Sequence, residues 1–99
     1  MPIIAIIMAA AAVLTIVVLA IIYYDDIIKW FQDRNDIKEA DKDNIAFTIK
    51  QKLESGDYKV VQGIFNKRTN TVVDGHTMRA KQLDAELRKR HRGKMVVYE

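Results

Sequence analysis

The sequence of 99 residues contains no cysteine, one proline, and four glycines that lie far apart. The absence of cysteine excludes a disulfide framework, a thiolate nucleophile and a cysteine-based zinc site. A phosphate-binding loop needs clustered glycines, which are missing, and Ser55 is the sole serine that could serve as a nucleophile. These absences predict a protein that has neither enzymatic activity nor a cofactor.

The two histidines do not form a recognisable metal-binding pattern. His76 follows Asp74 and Gly75 in a VVDGH segment, and His91 lies in a different segment, so they are not one helical turn apart. Asp74 and Gly75 are typical of a turn or of the entry to a helix. We therefore expect no catalytic residue and no metal site, and we expect His91 at the edge of the core.

Charged side chains are missing from the first 24 residues, and all 16 basic and 13 acidic residues follow Tyr24. The run from Pro2 to Tyr24 reads PIIAIIMAAAAVLTIVVLAIIYY. About 21 apolar residues in a helix extend roughly 31 Å, which is the thickness of a hydrocarbon core. The pattern predicts a single transmembrane helix over residues 1–24, followed by aromatic residues at the membrane interface.

A secretory signal peptide is the alternative interpretation of this apolar run. No basic residue precedes it, and no polar stretch follows the small residues 9–12, so an uncleaved anchor is favoured. Basic residues follow the run, which predicts an outside N-terminus and a cytoplasmic remainder. We accordingly expect a single-pass membrane protein, of the kind found in the bacterial inner membrane. Three small residues could let another helix approach the anchor closely: Ala5, Ala9 and Ala12.

Residues 25–43 form an amphipathic connector in which acidic residues outnumber basic ones. Apolar side chains and the absence of glycine and proline predict a helix over residues 27–38. Trp30 and Phe31 would lie at the membrane interface, or alternatively pack on the following module or on a partner.

Residues 44–99 are expected to form a small α+β module with the order αββαβ. Ile45, Ala46, Ile49 and Leu53 recur at helical spacing and predict a helix that ends near Gly56. Residues 58–65 and 71–75 have strand composition and flank a turn-like NKRTN segment, which indicates a hairpin. A helix over residues 77–92 and a strand over residues 95–98 would complete a three-stranded, mainly antiparallel sheet with helices on one face.

Two aromatic residues of the module extend the set of partner-binding candidates. Phe47 projects away from the helical stripe, and Phe65 lies on the second apolar face of the first hairpin strand. With Trp30 and Phe31, they are the residues that we expect to contact a partner. Gly63, within the same strand, indicates a bulge or a close backbone approach.

The segment LRKRHRGK concentrates positive charge near the end of the chain. It could bind anionic lipid or nucleic acid, or it could only complement a helix C-terminus and solvate the surface. The candidate ligands of an anion are Arg88, Lys89, Arg90, Arg92 and Lys94.

The sequence supports three functional hypotheses. The first is a membrane-anchored protein-interaction module, such as an accessory or scaffold subunit, whose partners are membrane lipid and another membrane protein or itself. The second is a tethered binder of anionic lipid or nucleic acid that acts through residues 88–94. The third is a small, toxin-like membrane-active protein, against which the charged C-terminal part argues.

Overall fold

The computed structural model describes residues 3–98 and divides the apolar N-terminal run into three elements. These are helix α1 (Ile3–Ala10), a 3-10 turn (Ala11–Val13) and strand β1 (Ile16–Ile22). Leu14 already has extended backbone angles, which end the helical conformation. The β-branched residues that follow Leu14 favour an extended strand over a helix.

The predicted transmembrane anchor is wrong, and so is the single-pass inner-membrane placement with an outside N-terminus that was derived from it. Within residues 3–98, none of the helices combines the length and the apolar character that crossing a bilayer requires. The run is apolar for another reason: α1 packs on the sheet through Ile7, and β1 joins the sheet beside a neighbouring strand. Two short elements with different partners thus produce the composition of one long helix.

Seven further elements follow β1. They are α2 (Tyr24–Asp33), α3 (Asn35–Glu39), β2 (Asn44–Lys52), β3 (Tyr58–Asn66), β4 (Thr71–Leu83), α4 (Ala85–Arg90) and β5 (Met95–Tyr98). The strands form one five-stranded sheet in the order β1-β4-β3-β2-β5. β1 is parallel to β4, and the other neighbours are antiparallel. The predicted three-stranded αββαβ arrangement is therefore wrong, because it omitted β1 and β2.

The segment predicted as the first helix of the module is strand β2. Ile45, Phe47 and Ile49 alternate along it, and this period of two places all three on the face that packs against α1. β2 pairs with β3 on one side and β5 on the other, so its backbone bonds are satisfied in the sheet. The last helix is shorter than predicted, because β4 continues between two strands to Leu83.

Other local predictions are confirmed. Helical structure covers most of residues 27–38, and strands lie over residues 58–65 and 95–98. A Cβ at Gly63 would lie 2.7 Å from the Asp74 carbonyl oxygen, so this glycine permits a close backbone approach. Asp74 and Gly75 lie inside β4 rather than in the expected turn.

The core has a layer on each face of the sheet, so the helices do not cover one face alone as predicted. On one face, α2 and α4 pack through Ile27 and Leu87 against Val60 and Met78. On the other face, α1 covers the buried side chains of β2 and β3. The buried residues of this second layer are Ile7, Ala11, Phe47, Ile49, Val61 and Phe65.

Candidate functional site

Strand β1 is an edge of the sheet whose apolar side chains are exposed on both faces. Ile16 and Val18 lie on the α1 face, and 60% and 76% of their surface is exposed. Val17 and Leu19 lie on the opposite face, and each is 38% exposed. β1 buries only its C-terminal end, through Ile22. A contiguous row of exposed apolar side chains is unusual on a monomer and is typical of an interaction surface.

The backbone of β1 has unpaired groups along this edge. The amide of Thr77 donates to the carbonyl of Thr15 at 2.9 Å. In a parallel ladder the residues of one strand alternate in direction, so Thr15 and Val17 direct their backbone groups toward β4. Ile16 and Val18 therefore direct their N–H and C=O groups toward the open edge, where another extended strand could pair with them.

The exposed apolar surface extends from β1 into the preceding elements. Val13 is 90% exposed, and the three alanines that were predicted to pack against another helix are also exposed. Ala5 and Ala9 lie on the outer face of α1, while Ala12 lies in the 3-10 turn. These alanines precede β1 in the sequence.

The opposite edge, β5, is built differently. It has four residues, and it follows exposed Arg92 and Lys94. The amide of Lys50 donates to the Lys94 carbonyl at 2.7 Å, and the alternation of an antiparallel ladder then leaves only Met95 and Val97 facing outward. A short strand beside positive charge is a common device that prevents unwanted pairing.

The four predicted partner-binding aromatic residues separate into two pairs. Phe47 and Phe65 are 0% and 1% exposed, so their rings contribute to the core. Phe31 is half-buried and packs against the Tyr98 ring with a centroid distance of 4.8 Å. Trp30 is half-buried as well, and its ring stacks on His76 at 5.0 Å.

The Trp30 contact belongs to a polar network that attaches α2 to the sheet. The Gln62 side-chain amide donates to the Ile27 carbonyl at 2.8 Å, so its Oε1 accepts from His76 Nε2, also at 2.8 Å. The proton of the neutral ring is therefore on Nε2. Arg34 lies over the Trp30 ring and bonds Asp74 through Nε at 2.8 Å.

Burial lowers the pKa of His76 below its ordinary value, and the Arg34 guanidinium lowers it further, against the opposing effect of Asp74. A neutral, stacked and hydrogen-bonded ring is an effective packing element between α2 and β4. The positive charge of Arg34 also disfavours a cation beside it. Within residues 3–98, no group of three or more His, Asp or Glu side chains is arranged to hold a metal ion.

The five basic candidates of residues 88–94 are all exposed, and their contacts differ. Arg90 forms an ion pair with Glu86 and lies over the Tyr24 ring. Arg92 Nε donates to the Lys89 carbonyl at 3.4 Å. Arg88 instead lines a cleft together with residues of β3 and β4.

Sequence reasoning missed the exposed edge of β1, because the apolar run was interpreted as one helix. The signal was present in the β-branched residues Ile16, Val17 and Val18, which follow a stretch of alanines. Comparisons with protein-family models, with curated proteins and with solved structures gave no match.

Proposed function

We propose that this chain is a protein-interaction module that associates with a second copy of itself through β1. The observation that carries the proposal is an uncharged edge strand with exposed apolar side chains on both faces and free backbone groups at Ile16 and Val18. Exposed hydrophobic edges of this length associate readily unless a partner covers them. Two β1 strands in antiparallel pairing would join the two five-stranded sheets into one continuous sheet.

The chemistry of the edge favours a second copy as the partner. A two-fold axis brings identical patches together, so the patch must be complementary to itself. β1 contains no charge that would oppose its own copy. With the axis at Val18, the most exposed side chain of the strand meets its symmetry mate, and Ile16 lies opposite the small side chain of Ala20.

The direction of the Val18 backbone groups supports the same register, with the two-fold axis at Val18. In an antiparallel pair, two opposed residues that both face the partner exchange two N–H to C=O bonds. Val18 faces the open edge, so Val18 and its symmetry mate would form such a pair. Val17 and Leu19 would then lie opposite each other on the second face and extend the apolar contact there.

The test compares the two edges of the sheet by the molar mass of the full-length chain in sedimentation or light scattering. We expect the wild type to have a mass of about 23 kDa, twice the 11.4 kDa of one chain. Val18→Lys places like charges directly opposite each other and should give a monomer. Val97→Lys is the matched control, because Val97 is an exposed valine on β5 that should leave the dimer intact.

A monomeric wild type would refute self-association. A different protein that captures the wild type through β1 while the isolated chain is monomeric would also refute the second copy as the partner. Circular dichroism of each variant verifies that its fold is unchanged.

A further inference from the structure

A cleft of about 320 Å³ lies where the C-terminal end of β4 meets α4 and the start of β3. It is lined by Tyr58, Lys81, Gln82, Leu83 and Arg88. Two of these five residues are cationic and none is acidic.

Arg88 is distinguished from the other arginines by its lack of a partner. Four of the six arginines pair with a carboxylate: Arg34, Arg68, Arg79 and Arg90. Arg92 donates to a main-chain carbonyl. Among residues 3–98, Arg88 is the arginine whose guanidinium has neither a carboxylate within 4.0 Å nor a hydrogen-bond acceptor.

The acidic residues nearest in sequence do not neutralise the cleft. Asp84 caps α4, because its Oδ1 accepts from the Leu87 amide at 2.8 Å. Glu86 forms an ion pair with Arg90. Lys52 adds a further positive charge, since its Nζ lies 5.7 Å from the centroid of the Tyr58 ring. Lys81 and Arg88 therefore line the cleft together with Tyr58, and Lys52 lies near the Tyr58 ring.

We infer that this cleft binds a phosphate monoester. A guanidinium donates two parallel hydrogen bonds to phosphate oxygens, and an ammonium supplies a compact charge beside it. A phosphate group of nearly two negative charges suits a cleft lined by two cations better than a carboxylate of one charge does. The Gln82 amide and the Tyr58 hydroxyl supply neutral hydrogen-bond donors for the same ligand.

Of the five basic residues in the 88–94 run, Arg88 is the one that lines the cleft, and the other lining residues lie outside the run. Lys81 lies on β4 and Arg88 lies on α4, and both line the cleft. Lys89 is next to Arg88 on α4 and is equally exposed, yet it does not line the cleft. The neighbouring residue thus provides a control that makes the same change in net charge.

The experiment titrates full-length protein with inorganic phosphate and with glycerol 3-phosphate, and follows backbone amide shifts by NMR. Arg88→Gln and Lys81→Gln should each weaken binding about tenfold, because each removes a charge-assisted hydrogen bond. Lys89→Gln should change the dissociation constant by less than about twofold. The amide shifts of the wild type should be largest for Gln82 and for residues of α4.

Phosphatidylcholine vesicles with and without phosphatidic acid distinguish the source of the phosphate group. Binding of soluble glycerol 3-phosphate that depends on Arg88 supports a free phosphate ester. Binding only to the phosphatidic acid vesicles, again dependent on Arg88 and Lys81 and not on Lys89, supports a lipid headgroup. Failure of both probes to bind the wild type, or an equal loss in Lys89→Gln, would overturn the inference.

Discussion

The two edges of the sheet differ in length, charge and protection. β1 has seven residues, all of them apolar, and most of their side chains are exposed. β5 has four residues and follows a basic segment. Natural sheets protect their edges by shortness and by charge, so β5 has the protection that β1 lacks. The difference supports the proposal that β1 pairs with a partner strand, whereas β5 has the usual protection of a sheet edge.

The side chains beside the two edges lead to the same conclusion. Tyr98 of β5 packs on Phe31, and its hydroxyl lies 2.8 Å from the Thr48 hydroxyl, so the end of this strand is held within its own chain. Ile16 and Val18 of β1 have no comparable cover, and α1 leaves both of them more than half exposed. A second strand at β1 would remove this apolar surface from water.

Proline substitutions at adjacent positions of β1 should have the largest effects on stability and on dimerisation. Val17→Pro removes an N–H that faces β4, so we expect a loss of about 2 kcal/mol in the free energy of unfolding. Val18→Pro removes an N–H that faces the open edge, so it should prevent dimerisation but cost less than about 1 kcal/mol relative to monomeric Val18→Lys. Urea denaturation of the three variants measures the free energy of unfolding, and sedimentation measures whether Val18→Pro is a dimer.

The two proline variants differ by one position, so they test which residues of β1 direct their N–H groups toward β4 and which toward the open edge. Equal destabilisation by both would contradict the assignment of Ile16 and Val18 to the open edge. A dimeric Val18→Pro variant would contradict pairing through that edge.

The two edges of the sheet should also respond differently to acid, although this effect is smaller. Burial lowers the pKa of His91, with a further lowering by Lys50, while the carbonyls near the ring oppose the change. The ring lies between the Gly93 and Thr48 carbonyls, at 2.9 Å from Nδ1 and 3.3 Å from Nε2. It therefore connects the segment before β5 to β2, whereas β1 contains no titratable side chain.

The sign of the acid effect follows from this lowered pKa. Between the folded-state pKa and the ordinary value of 6.5, the unfolded state binds more protons, so stability falls as the pH decreases through that window. We expect the protection factors of the Val96 and Tyr98 amides to decrease several-fold more than that of the Val17 amide. Hydrogen exchange followed by NMR measures this, and His91→Gln should remove the difference. Persistence of the difference in His91→Gln would show that His91 does not cause it.

Local signals predicted several elements of the fold, because they depend on residues close in sequence. The helix of the 27–38 segment, the strand at 58–65 and the terminal strand after Gly93 are of this kind. Gly63 was predicted to mark a bulge or a close backbone approach, and the structure shows the close approach.

The errors arose where tertiary pairing decided the conformation. Residues 44–52 satisfy a helical period through Ile45 and Ile49, but Phe47 fits only an alternating pattern, and pairing with two strands selects that pattern. The N-terminal run has the length of a membrane helix, yet pairing with β4 makes its second half a strand. A short apolar segment does not carry the information that separates these outcomes.

The candidate surfaces were less predictable than the strands. The cleft at the C-terminal end of β4 is lined by Tyr58, Lys81 and Arg88 from three separate elements, so sequence proximity identified only Arg88 within a basic run. The free edge of β1 could not be inferred before the strand order was known. Ala5, Ala9 and Ala12 were predicted as a helix-packing surface, and all three are exposed.

Charge complementation between two β1 variants tests self-association most directly. Val18→Lys and Val18→Glu are purified separately, and the molar mass of each is compared with that of an equimolar mixture. Antiparallel pairing at Val18 predicts that each variant alone is a monomer and that the mixture forms a one-to-one dimer, because opposite charges then lie across the two-fold axis. A mixture that stays monomeric while the wild type is a dimer would contradict the pairing at Val18.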